Sequence, residues 1–209
     1  MKIFLFLLIY LTIHASSYPT FTSSELQNIE KNSGFMAKNR VIDYTNTIQS
    51  YEKYSKNQQL EKVNYYLNKV IPQKNRSFID RQDHWTTPKE FLTSGFADCE
   101  DYAIIKYFTL LKLGFEEEKL FMTVAYDKYS KQHHMVLSYF KDEGTLPLIL
   151  DNLSFKVLNL QKRKDLEVNM FVNSSGVYAF DENEKLVKVA SGAKKFNELL
   201  QRINHESWF

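Results

Sequence analysis

Cys99 is the only cysteine among 209 residues, and it stands at the head of a long apolar run. A thiol attacks as its thiolate. It therefore needs an imidazole to take its proton and an acceptor to hold that ring in one tautomer. His134 opens one β-rich run and Asp151 closes the next. If those runs pair antiparallel, the start of one lies beside the end of the other, and the two side chains meet at one margin of a sheet. A helix beginning at Cys99 would present its tip to them. Partial positive charge and free N–H groups at that tip favour a thiolate and can bind an oxyanion. The chemistry would be acyl transfer through a thioester. Spacing alone leaves plainer readings open: a small core cysteine, a structural histidine, and a turn at Asp151-Asn152.

The elements that must position these residues follow from periodicity and caps. Residues 22–73 read as helical, with capping chemistry at Thr22-Ser23-Ser24-Glu25 and Leu60, Val63, Tyr66, Leu67 and Val70 at helical spacing. Gln73 to Asp83 is a polar loop, and Thr87-Pro88-Lys89-Glu90 starts another helix. The segment from Cys99 to Leu113 is apolar nearly all round and is followed by Gly114, which predicts a buried central helix with a glycine C-cap. Strands are predicted over 120–126, 134–140, 146–150, 170–172, 177–180 and 186–189, with an amphipathic helix over 193–203 to close. Helices first and strands after them predict an α+β fold on an antiparallel sheet.

The amino terminus reads differently from the rest. Met1-Lys2, the apolar stretch Ile3 to Ile13 and the small residues Ala15-Ser16-Ser17 have the form of a secretory signal peptide. The stretch is short of the ~20 apolar residues that span a bilayer. Residues 1–17 are thus expected to direct export with cleavage near Ser17, an uncleaved anchor being the alternative, leaving residues 18–209 as a single domain. Removing Lys2 from 27 basic against 25 acidic residues leaves a surplus of one, which gives no electrostatic reason to expect nucleic acid. One thiol in an oxidising compartment cannot form an internal disulfide, which again singles out Cys99.

Three motifs in order carry a resemblance. Gly95-Phe96-Ala97-Asp98-Cys99-Glu100-Asp101-Tyr102-Ala103-Ile104 is preceded by Trp85-Thr86-Thr87-Pro88. It is followed by His134-Met135-Val136-Leu137 and then Pro147-Leu148-Ile149-Leu150-Asp151-Asn152-Leu153. Together they resemble the bacterial transglutaminase-like cysteine peptidases, the LapG-type periplasmic proteases. The resemblance implies a papain-like, transglutaminase-like fold with Cys99 as nucleophile, His134 as base and Asp151 as orienting acid. It selects His134 over the adjacent His133. It further implies a large repeat surface adhesin as substrate, cut in its N-terminal region so that a biofilm disperses. An inner-membrane cyclic-di-GMP receptor is the implied inhibitor, acting through its periplasmic domain.

Asp98, Glu100 and Asp101 pose a physical problem, because carboxylates beside Cys99 oppose thiolate formation. The resemblance implies a calcium ion that offsets them, with Asp98 and Glu100 at ligand positions and Asp101 the weaker candidate. Otherwise Asp98 caps the helix while Glu100 and Asp101 favour its dipole. Trp85 is either a packing residue or a substrate contact. The same triad would also serve an amine-accepting cross-linker, and a silent binding module of this fold is the third reading.

Overall fold

The structure is a computed structural model that describes residues 18–72 and 84–206. The expected signal peptide (1–17) and the expected loop (73–83) lie outside the described residues. Among the described residues, six α-helices and seven strands follow one another as α1 (Ser23–Ser33), α2 (Phe35–Tyr51), α3 (Lys56–Val70), α4 (Pro88–Thr93), α5 (Cys99–Lys112), β1 (Leu120–Asp127), β2 (Gln132–Tyr139), β3 (Leu148–Leu150), β4 (Leu158–Asn159), β5 (Leu166–Asn173), β6 (Gly176–Phe180), β7 (Leu186–Ala190) and α6 (Lys194–His205). No described helix is long and apolar enough to cross a membrane.

The helical run over 22–73 is three helices, and local chemistry sets its breaks. Thr22 and Glu25 form a capping box at α1. Gly34, at φ 86°, ends α1 and begins α2, a backbone angle that a side chain would resist. Ser55 and Gln58 form a second capping box that restarts the chain as α3. Thr87, Pro88 and Glu90 do the same for α4.

The strands form one sheet in the order β4-β3-β2-β1-β5-β6-β7, and every pairing is antiparallel. Alternation along β1 splits the sheet into two faces. Leu120 and Met122 join Leu137, Leu150 and Val172 in the main core with the helices. Phe121 faces the other way, into an aromatic cluster with Phe140 and Phe171. Helices on one face of an antiparallel sheet make this α+β. At the centre of the main core lies α5, packed against α3, β2 and β1, with Ile104, Ile105, Tyr107 and Leu110 buried. Deleting most of one such side chain, as in Ile104→Ala, costs about 2–5 kcal/mol. Its burial fixes where the first residue of α5 must sit.

Candidate active site

Asp98 is the N-cap of α5 and Cys99 is its first residue. The Asp98 carboxylate accepts the Asp101 amide at 3.4 Å, and the Asp101 carboxylate accepts the Asp98 amide at 3.2 Å. This reciprocal pair fixes the helix start. Leu113 and Gly114, the latter at φ 76°, end the helix where the sequence places its cap. As the first helical residue, Cys99 places its backbone N–H at the positive end of α5. Its side chain is 3% exposed, and Sγ donates to Glu100 Oε2 at 2.9 Å.

Strand pairing builds the second half of the site. Leu137 of β2 lies opposite Leu150 of β3. Extending that register makes His134 and Asp151 diagonal neighbours on one face, a separation that long side chains span. His134 Nε2 lies 2.8 Å from Asp151 Oδ1, with the ring 7% exposed and the carboxylate fully buried. Ala125, Val136 and Ile149 form a small apolar cluster on that face. His133, one residue earlier, is exposed and stacks edge-on against Tyr126 at 5.9 Å. The carriers of Cys99 and His134, α5 and β2, pack directly on each other.

Asp151 is held by more than the imidazole. Oδ1 also accepts the Leu153 amide at 2.9 Å, and Oδ2 accepts Arg163 Nη2 at 2.7 Å. Burial by itself would raise this carboxyl. The His134 hydrogen bond and charge, the Leu153 amide and Arg163 outweigh it and hold the group well below the usual carboxylate range. Arg163 is gripped in turn by Asp165, at 2.6 Å from Nη2. Asp127 on β1 also lies within electrostatic reach of His134. The sequence reading missed both Arg163 and Asp127. Arg163 comes from a 3-10 turn after β4, and nothing in the local pattern points it at Asp151.

The acidic residues around Cys99 divide by role. Asp101 has its oxygens engaged, accepting the Thr86 amide at 3.0 Å and the Thr86 hydroxyl at 2.6 Å as well as the Asp98 amide. Asp98 is pushed up to about 8, first by burial and then by the charges of Asp101 and Glu100. Such crowding of oxygen anions suits a hard cation, so the donor types of Asp98 and Glu100 fit calcium. The count is short. Among the described residues, no three acid, histidine or cysteine side chains converge as a metal site. Any further ligands would have to be backbone carbonyls or water. Asp101, the weaker candidate in the sequence, has a helix-capping role here.

Trp85 is 8% exposed and belongs to the main core. Its carbonyl accepts Arg202 of α6, and Lys195 Nζ lies 5.6 Å from its ring. It pins the last helix beside the start of α4, which is a packing role.

Residues 37–175 match the family of bacterial transglutaminase-like cysteine proteinases (BTLCP). Among solved structures, LapG of Legionella pneumophila in a calcium-bound form is 32% identical with a TM-score of 0.71, covering 85% of this chain and 98% of its own. An EGTA-treated form of the same protein has the same identity and TM-score, and covers 85% and 97%. A third LapG structure covers 88% of this chain and 97% of its own. No curated protein sequence matches. With its transglutaminase-like fold and a family match spanning most of its length, the chain belongs to the bacterial transglutaminase-like cysteine proteinases.

Proposed function

We propose that the chain is an exported cysteine endopeptidase in which Cys99, His134 and Asp151 act as nucleophile, base and orienting acid. The observation that carries this reading is the buried 2.8 Å contact between His134 Nε2 and Asp151 Oδ1, on a strand packed against the helix that Cys99 begins. Asp151 occupies Nε2, which leaves Nδ1 to exchange a proton with the thiol.

The mechanism follows from these positions. His134 takes the proton of Cys99, and the thiolate attacks the peptide carbonyl carbon. The resulting oxyanion is met by the Cys99 backbone N–H at the positive end of α5. When the C–N bond breaks, the imidazolium gives its proton to the departing amine, leaving an acyl thioester. Water, deprotonated by His134, attacks the thioester, and the released thiolate recovers the proton. Asp151 keeps the ring in one tautomer and stabilises its charged form. Calcium held by Asp98 and Glu100 would supply positive charge that offsets the carboxylates beside the thiol.

The likeness to LapG supports placing this enzyme in the periplasm, with a large repeat adhesin as substrate and its release dispersing a biofilm. It equally supports an inner-membrane cyclic-di-GMP receptor, whose periplasmic domain sequesters the protease. The test is to incubate the protein with the N-terminal fragment of the adhesin encoded in the same genome, with and without an amine donor. Cleavage to a free carboxylate that is lost in Cys99→Ala supports the reading. An uncut fragment, or a product joined to the amine, contradicts it.

A further inference from the structure

Lys106 sits two turns after Cys99 on α5 and is fully buried. Its Nζ has no hydrogen-bond partner and lies 5.8 Å from the centre of the Tyr102 ring. A lone buried ammonium is costly, so burial brings this group down to about 7. The charge of Asp151 is what opposes that fall. The triad mechanism makes no use of this lysine.

Other orphaned polar atoms gather at the turn that carries Asp151. Asn68 Nδ2 on α3 donates to the Asp151 carbonyl at 2.8 Å and to the Ser154 carbonyl at 3.1 Å. Asn64 Nδ2, one helical turn earlier, donates to the Ser154 carbonyl at 2.8 Å. The Oδ1 atoms of both asparagines are buried without a partner, as are both polar atoms of the Asn152 amide. The helix that holds the 151–154 turn through these bonds, α3, also packs against α5, which carries Lys106. Buried donors and acceptors clustered in this way are normally joined by water.

We propose that Lys106 is a positioning residue for Asp151, reaching the 151–154 turn through water buried between α3, α5 and that turn. Lys106 thereby steadies the turn that carries Asp151, while Arg163 grips the carboxylate itself. The pair fixes the angle at which Asp151 meets His134. This rests on Asp151 being the carboxylate that orients His134, and the tests separate the two claims. If Cys99→Ala and His134→Ala retain activity, the triad itself fails, whatever Lys106 does.

The closing experiment uses Lys106→Met, which keeps the length and removes the charge. A merely tolerated buried lysine predicts unchanged or higher thermal stability with unchanged kinetics, because apolar replacement of a buried ion is often neutral or stabilising. The positioning role predicts a kcat lower by about tenfold with KM unchanged. It also predicts a shifted or broadened downfield proton resonance for the His134–Asp151 hydrogen bond. Wild-type kcat together with an unmoved resonance overturns the proposal. Should the variant fail to fold, a crystal structure of the wild-type protein decides. Ordered water within hydrogen-bond distance of Lys106 Nζ and of the Asn64 or Asn68 side-chain oxygen supports the proposal, and a dry contact ends it.

Discussion

His134 Nε2 meets Asp151 Oδ1 at 2.8 Å because β2 and β3 pair antiparallel, with Leu137 opposite Leu150. The contact depends on register. A one-residue slip of β3 would turn Asp151 to the other face of the sheet. The carboxylate is fully enclosed and has three donors on two oxygens, so its charge is fixed before any substrate arrives.

Replacing that charge should affect turnover far more than binding. Asp151→Asn keeps the shape but lets the imidazole settle in the wrong tautomer, and a fall in kcat of about 10⁴ is the precedent for such a change in a triad. Steady-state kinetics on the adhesin fragment measure this. A loss confined to KM would show that Asp151 does not act through His134.

Arg163→Met tests the support behind the dyad. Asp151 and Asp165 both have folded pKa values below their unfolded ones, so their contribution to stability is present above about pH 4 and is lost as pH falls below it. Removing Arg163 weakens that contribution and leaves a buried carboxylate short of a partner, at a cost of about 3 kcal/mol near neutrality. Thermal melts from pH 7 down to pH 3 should show the gap between wild type and variant narrowing. A gap that stays constant or widens in acid rejects this assignment.

Calcium gives a separate outcome. An ion bound only to the folded state at a hundred times its Kd adds about 2.7 kcal/mol, or roughly 5–10 °C in Tm for a chain of this size. Strong chelator should remove that increment from the wild-type protein. Asp98→Asn and Glu100→Gln should start without it. Identical melts with calcium and with chelator would falsify the site.

The sequence exposes those parts of the structure that are set locally. Asp98 before an apolar run and Gly114 after it mark both ends of α5, and the strand starts around His134 follow from β-rich composition. The division of residues 22–73 was also written locally, in Gly34 and in Ser55 with Gln58, but a continuous helical pattern overlies it. Long-range pairing was not legible. β1 joins β5 across the whole of residues 128–165, and β4 is two residues whose pairing with β3 owes nothing to its own pattern. Arg163 reaches Asp151 only through that topology. Lys106 is hidden for the opposite reason, since one lysine within an apolar helix reads as its solvent edge until the packing shows otherwise.

The central claim is that the Cys99 sulfur and the His134 ring share a proton, and alkylation of Cys99 by iodoacetamide across pH measures it directly. The account predicts a reactive thiolate well below the ordinary cysteine pKa of about 8.5, with that low-pH reactivity lost in His134→Gln. A single inflection near that ordinary value, the same in both proteins, would contradict it.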